Sequence, residues 1–268
     1  MMPKLSVITI NYNNKSGLEK TIQSLFSQTF TDFEYIVIDG GSTDGSIDII
    51  NKYSNKITYW VSEKDNGIYD ALNKGIAKST GEYCYFLNSG DYLSNKDVFD
   101  NVFKNEPSQD IIYGDVSMEM DGIITGHKLH PDKLSTYYLL TEVIAHQAQF
   151  IKRDLFQKFG NYDLKYKIVS DYELFVRMFF KHTISTKHVP SDIAVFNLSG
   201  LSNRKEQLAQ INVERNTIHN IYFPKVLTMI YHSYAKLLHS KFYKIPAVAS
   251  VVKVFRGFAF YFIKPKAK

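Results

Sequence analysis

The sequence predicts an α/β protein whose residues 1–91 build a mostly parallel sheet. Three observations carry that expectation. Four apolar runs, Ser6–Ile10, Phe33–Ile38, Ile57–Val61 and Tyr83–Leu87, are rich in β-branched and aromatic residues and are hydrophobic nearly throughout, as strands covered on both faces are. Each run empties into a polar loop, and after the first three loops apolar residues recur at helical spacing. Every such loop lies at the C-terminal end of its strand, where open α/β sheets bind their ligands.

Taken in order, Ser6–Ile10 leads into Asn11-Tyr12-Asn13-Asn14, and Leu18, Ile22 and Leu25 then share one helix face. Phe33–Ile38 ends in Asp39-Gly40-Gly41-Ser42-Thr43-Asp44-Gly45-Ser46 before Ile47, Ile50 and Tyr53 mark the next helix. A glycine-rich turn entering a helix offers free backbone N–H groups to an anion, and Asp39 is suited to accept from a nucleobase N–H or a ribose hydroxyl. The spacing is not the G-x-G-x-x-G of a dinucleotide fold, and Ser42, Asp44 and Ser46 equally suit turn and capping roles. Ile57–Val61 runs into Ser62-Glu63-Lys64-Asp65-Asn66-Gly67, after which Tyr69, Leu72 and Ile76 line a buried helix face closed by Gly81. Asp70, Asn73 and Lys74 occupy the other face, where an Asp70–Lys74 surface pair is the plain reading.

The fourth run organises the rest. Tyr83–Leu87 ends abruptly in Asn88-Ser89-Gly90-Asp91, which sets a carboxylate at the mouth of a buried strand. Gly90 lets the backbone approach a phosphate, and Asp oxygen is a hard ligand for Mg²⁺ or Mn²⁺, which bind through one or two carboxylates plus the substrate's own phosphates. An ordinary turn accounts for the same residues, so the stretch alone decides little.

In combination these stretches are specific. SVITINYNN, QSLFSQTF, YIVIDGGSTDGS, SEKDNGIYDALNKGIAKSTGEY and FLNSGD, in this order and spacing, resemble the family 2 glycosyltransferases of GT-A fold, over about residues 5–220. The resemblance implies a Rossmann-like half that holds the nucleotide of a sugar donor, usually UDP. It sets Tyr12 by the uracil, Asp39 as a contact to it, and Asp65, Asn73, Ser89 and Gly90 along the donor. Asp91 matches the last acid of the family's D-x-D metal motif, so it is expected to hold Mn²⁺ or Mg²⁺ with the donor diphosphate. Asn88 stands where the first acid often is, which implies weaker metal affinity.

The remainder to residue 223 is less regular, as an acceptor-binding half would be. Ile111–Val116 reads as a strand, Met118–Thr125 as a hairpin centred on Asp121-Gly122, and Ile184–Val189 and Ile193–Leu198 as closing strands. His146 and Gln147 match a His-Gln pair that the family places towards the acceptor. Ser170 is suited to cap a helix whose stripe is Leu174, Phe175, Met178 and Phe179, so that Asp171 is displayed at its N-terminus. An acid there also suits the helix dipole. In the family it is the general base, with an ordinary or slightly raised pKa. Glu173 competes but should point elsewhere around the helix. Arg204, in a polar loop over 200–204, or the adjacent Lys205 is a candidate for the donor phosphates, a solvated loop charge being the plain reading of either, and a helix over about 206–222 ends at Pro224.

Residues 224–268 form a helical C-terminal extension in this reading. Residues 221–268 hold nine Lys or Arg and no acid, and removing those nine from 32 leaves 23 basic against 27 acidic residues in 1–220. The basic excess, interleaved with aromatics, is expected to bind an anionic membrane surface, with a helical hairpin packed on the domain or a dimer contact as the alternative; a nucleic-acid partner is not expected. A single Cys84 excludes a disulfide framework, and the N-terminal run reads as a strand and not a signal peptide. The expected protein is thus a hexosyltransferase, cytoplasmic and peripheral at the inner face of the cell membrane. It would take its sugar from a nucleotide donor to a polyprenyl-diphosphate-linked or other glycolipid acceptor. No Q-x-x-R-W motif points to a processive synthase. A sugar nucleotidyltransferase would need a glycine-rich basic loop where Asn11–Asn14 stand, and a non-catalytic membrane-associated protein would bind sugar nucleotide without turnover.

Overall fold

A computed structural model describes residues 2–181, 184–198, 207–229 and 231. They divide into two compact units, one spanning Met1–Asp132 and Ile144–Leu208, the other Lys133–Val143 and the residues from Ala209 on.

The first unit is organised on one sheet. β1 (Leu5–Asn11), β2 (Phe33–Asp39), β3 (Tyr59–Ser62) and β4 (Tyr83–Phe86) lie in the order β3-β2-β1-β4 and are all parallel. Helices α1 (Lys15–Phe26), α2 (Ser46–Lys52) and α3 (Ile68–Lys78) make the crossovers. β1 is buried at every position, and its two polar interior residues are each paired: Ser6 Oγ donates to Glu34 (2.6 Å) and Thr9 Oγ1 to the Leu87 carbonyl (2.8 Å). From β1 the order runs to β2 on one side and β4 on the other. The loops after β1 and β4 therefore flank a topological switch point.

The fold matches the GT-A, Rossmann-like frame, and the antiparallel pairing begins beyond β4. β8 (Gln149–Lys152) joins β4 with Tyr85 opposite Phe150; next come β6 (Ile111–Met120), β9 (Thr186–Asn197) and the two-residue β5 (Tyr92–Leu93), while β7 (Ile123–Lys128) pairs with β6. Antiparallel register sets the residues before β8 alongside the end of β4. That is how His146 and Gln147, in a 3₁₀ turn, reach the mouth of the fourth strand.

Two strand expectations are corrected. The expected strand and the first arm of the expected hairpin are one element, β6, which runs through Met120, while Asp121 and Gly122, with φ of 52° and 80°, make the expected turn into β7. The two closing strands are one, β9, which crosses Pro190. Its parallel partner accommodates the proline by a register shift: Tyr113 faces His188 and Asp115 faces Asp192, so two steps on β6 match four on β9.

Aromatic residues fill one side of the sheet. Tyr85 stacks on Phe150 with ring centroids 4.6 Å apart, and Phe99 and Phe103, both in α4 (Val98–Phe103), meet Phe150 edge-on at 6.0 and 5.5 Å. Leu18, Ile22 and Leu25 of α1 join the same core. Each such side chain contributes about 1.5–3 kcal/mol on burial, more than the roughly 0.5–1.5 kcal/mol net of a loop hydrogen bond. The frame thus carries the stability and leaves the mouth loops free for chemistry.

α6 (Arg153–Phe159) and α7 (Ser170–Lys181) complete this unit. Ser170 is the first residue of α7 and not its cap: the Val169 carbonyl accepts the first helical bond from Glu173 N, and the Ser170 hydroxyl donates to Asp163 O (3.0 Å). The second unit contains α5 (Thr136–Thr141) and α8 (Leu208–Tyr222), where Arg215 Nη2 donates to Leu140 O at 3.3 Å. Among the described residues no helix is long and apolar enough to cross a membrane. Arg204 and residues 232–268 of the basic extension lie outside the described residues.

Candidate active site

Four mouth loops, after β1, β2, β3 and β4, build the site. After β1, Tyr12 leaves its ring 66% exposed, and a methyl group added at Gly40 would lie 2.6 Å from Asp65 Oδ2 and 3.2 Å from Tyr12 Cδ2. A side chain there would have to push the Asp65 carboxylate aside. Tyr12, Gly40 and Asp65 thus form a cradle with an exposed aromatic face, and Asp65 Oδ1 also accepts from Gly67 N at 2.9 Å.

Asp39 lies deeper than a base contact would suggest. It is fully buried, and its oxygens accept from Asn11 Nδ2 (2.7 Å), Ser42 N (2.8 Å), Gly41 N (3.1 Å) and the hydroxyls of Ser42 and Ser62 (both 2.6 Å). Burial by itself would raise its pKa. The donors from Ser42, Ser62 and Asn11 outweigh it and hold the carboxyl below its ordinary value. In this geometry Asp39 organises the loop that carries Gly40 and Gly41.

The turn after β4 is fixed from two sides. Ser89 O and Oγ accept from Asn14 Nδ2 at 3.0 and 3.2 Å, and Gly90 N donates to Thr21 Oγ1 at 3.0 Å. Gly90 adopts φ 103°, a conformation that a side chain would strain. Asn14 also caps α1 through Gly17 N (3.2 Å), so the start of α1 and the mouth of β4 are one assembly. Asn14 and Thr21 carry no chemistry of their own and escaped the reading of the sequence; an Asn directly before a helical pattern was the available signal for the first.

Asp91 is 5% exposed, with Oδ1 accepting from Asn197 N (2.9 Å) and Oδ2 from Gln147 Nε2 (2.8 Å). Burial dominates and lifts its pKa to about 6, against the opposing pull of these donors and of His146. Each oxygen keeps a free lone pair. Three residues earlier, the Asn88 side-chain oxygen is buried without a donor, while its nitrogen lies 3.1 Å from His146 Nε2. Two hard oxygens on one turn fit Mg²⁺ or Mn²⁺, provided a diphosphate completes the shell. That completion is needed, because no group of three His, Cys, Asp or Glu among the described residues is placed to hold a metal.

The second acid stands at the start of α7. Asp171 Oδ1 lies 3.0 Å from the Tyr69 hydroxyl and Oδ2 lies 3.6 Å from His146 Nδ1. Its pKa is not raised: burial pushes it up, but His146, the Tyr172 backbone and Tyr69 together bring it below the ordinary value. The slightly raised alternative expected from the sequence is corrected accordingly. Glu173 is removed from contention, since it is buried against Arg177 Nε at 3.1 Å, and Arg177 also donates to the carbonyls of Phe159 and Asn161. Asn73 is occupied as well: its amide bonds Tyr162 O (2.9 Å) and Tyr162 N (3.0 Å) and so anchors the segment before α7.

His146 and Gln147 join the two acids. Adjacent in one turn, Gln147 reaches Asp91 and His146 reaches both Asn88 and Asp171. The acids are held in opposite senses, one raised and one lowered, which is the pattern of two carboxylates with different tasks.

The family model described as glycosyl transferase family 2 matches residues 6–115. A PGL/p-HBAD biosynthesis glycosyltransferase of Mycobacterium tuberculosis is 34% identical over 209 residues, which is 75% of this chain and 80% of that protein. This chain belongs to glycosyl transferase family 2. Another member-like relative, an uncharacterized glycosyltransferase of Rickettsia typhi, is 28% identical over 73% of this chain and 66% of its own. Among solved structures, S. aureus TarS 1–349 in complex with UDP is similar with a TM-score of 0.60 at 20% identity, over 72% of this chain and 60% of that one. The mannosyltransferase PcManGT from Pyrobaculum calidifontis, in complex with GDP-Man and Mn²⁺, gives 0.58 at 15% identity over 98% and 82%. At these identities the structural likeness establishes the frame. A family 2 glycosyltransferase on this frame is an enzyme, and the geometry above is its candidate active site.

The raised pKa of Asp91 has a stability consequence. An acid that binds its proton more tightly when folded stabilises the fold below its unfolded pKa near 3.8 and loses that contribution as pH rises through about 6. Asp91→Asn is therefore expected to match or exceed the wild-type melting temperature at pH 7.5, with the difference closing below about pH 4. Calorimetry across that range checks it, and a variant less stable at pH 7.5 would contradict it.

Proposed function

We propose that this enzyme is an inverting glycosyltransferase that moves a sugar from a nucleotide donor, UDP-linked, to a hydroxyl of a lipid-linked glycan in surface polysaccharide assembly. The observation that supports it best is the placement of two acids, Asp91 at the mouth of β4 and Asp171 at the start of α7, on the adjacent residues Gln147 and His146. In this reading Tyr12 stacks on the base, and the Asp39 loop with Asp65 receives the ribose. The Ser89-Gly90 turn admits the diphosphate. Asp91, with the Asn88 oxygen, would hold Mn²⁺ or Mg²⁺, which when bound offsets the charge of the departing diphosphate. UDP in TarS and Mn²⁺ in PcManGT support the donor and the ion by likeness of fold.

Asp171 takes the proton of the acceptor hydroxyl as that oxygen forms a bond to the anomeric carbon and the bond to the phosphate oxygen breaks. Ionised throughout the neutral range, it needs no further activation. One displacement inverts the anomeric centre, with no covalent intermediate. His146 lines the acceptor side beside Asp171, Gln147 acts through Asp91, and Arg204, outside the described residues, is assigned to the phosphates. Incubation with a panel of UDP- and GDP-sugars and Mn²⁺, following nucleotide release and the anomer formed by NMR, tests this. No release from any of them, or a retained anomer, overturns it.

The reading extends to residues 224–268 as a basic, aromatic segment that holds the enzyme on the anionic cytoplasmic leaflet. Residues 232–268 carry eight of the nine bases. Each basic residue near the surface contributes about 1 kcal/mol, reduced by salt. Deleting 232–268 is expected to release the protein from anionic vesicles and leave UDP binding intact. Co-sedimentation at low and high salt reads the result, and equal partitioning of the two proteins would contradict it.

A further inference from the structure

A carboxylate on the first turn of a helix turns freely about two torsions unless something restrains it, and a base that swings is seldom aimed at its substrate. Asp171 is met at each oxygen by a side chain distant in sequence: the Tyr69 hydroxyl at Oδ1 and His146 at Oδ2. Tyr69 is itself rigidly held. It is buried in α3, its ring lies 5.4 Å from that of Tyr162, and its one hydroxyl hydrogen is shared between Ile168 O at 2.6 Å and Asp171 Oδ1 at 3.0 Å. One helical turn further along α3, Asn73 grips Tyr162 by its backbone N–H and carbonyl. α3 thus binds the segment leading into α7 at Tyr162 and Ile168, and then reaches Asp171.

We propose that Tyr69 is a positioning residue for Asp171, its hydroxyl fixing the direction in which the carboxylate faces the acceptor hydroxyl. The inference rests on Asp171 being the base of the reading above. The groups that face Asp171 are Tyr69 of α3, Tyr162 of the preceding segment, His146 of the turn before β8 and the backbone of Tyr172 within α7. Of these, Tyr69 brings a neutral donor on a rigid ring. A merely structural account is that the hydroxyl ties Ile168 to α3 and touches Asp171 in passing. The two accounts differ in what happens once the carboxylate is gone.

Tyr69→Phe removes one oxygen and keeps the ring. In protein labelled with ¹³C at the Asp carboxyls, with the Asp171 signal assigned by its loss in Asp171→Asn, the titration midpoint of Asp171 is expected to rise by about one pH unit. With whichever of UDP-GlcNAc, UDP-glucose and UDP-galactose turns over fastest in Mn²⁺, kcat is expected to fall about tenfold with KM for the donor unchanged. The acid limb of the kcat/KM profile should move up in step with the midpoint. In the Asp171→Asn background, Tyr69→Phe should have no further effect on kcat. An unmoved midpoint, or a loss that persists undiminished in that background, overturns the inference and leaves the base assignment standing. Wild-type turnover by Asp171→Asn alone would instead overturn the base assignment, and the inference with it.

Discussion

Asp171→Asn is expected to lower kcat by about 10²–10⁴ while leaving donor affinity within about twofold of wild type. The amide retains the shape of the side chain and its place at the start of α7, and it still accepts from Tyr69. What it lacks is the ability to take a proton. Because the pKa of Asp171 is lowered in the fold, the carboxylate also stabilises the fold above its unfolded pKa, and that contribution is lost as pH falls through the folded value. Asp171→Asn should accordingly be somewhat less stable than wild type at pH 7.5, the opposite of Asp91→Asn. A defect confined to stability, with normal specific activity of the folded fraction, would return Asp171 to a helix-dipole role.

Asp91→Asn is expected to abolish turnover and to remove the dependence of UDP affinity on divalent cation. Burial makes a charged Asp91 costly for the fold, and Gln147 and Asn197 compensate only in part, so the carboxylate calls for a further partner. The proposed cation would supply one, since an ion beside the carboxylate favours its charged form. Isothermal titration of UDP with Mn²⁺ and with chelator reads the difference. Full activity of the variant in chelator would contradict the metal assignment.

The strands and mouth loops of the first unit were legible because burial on both faces demands apolar runs and parallel crossovers demand polar turns at fixed places. β1, β2 and β4 lie within a residue of their expected ends. Asp171 was legible as a displayed acid, and the discounting of Glu173 follows from its position around α7. What escaped depends on contacts between residues far apart. Gln147 on Asp91 spans 56 residues and Tyr69 on Asp171 spans 102, and no local pattern announces either. Asp39 reads as an exposed ligand because an acid before a glycine-rich turn usually is one; five converging donors make it the keystone of that turn. The merging of two expected strands into β9 escaped for a different reason. Pro190 normally ends a strand, and only the shifted register of β6 accommodates it.

The central claim is a division of labour between the two acids, and parallel binding and turnover measurements on one set of proteins test it most directly. With UDP, GDP and their sugars in the presence of Mn²⁺, Asp171→Asn is predicted to bind nucleotide as wild type does and to release almost none from the sugar donor. Asp91→Asn is predicted to lose both. Turnover by Asp171→Asn at the wild-type rate, or nucleotide binding indifferent to Asp91→Asn, would contradict the account.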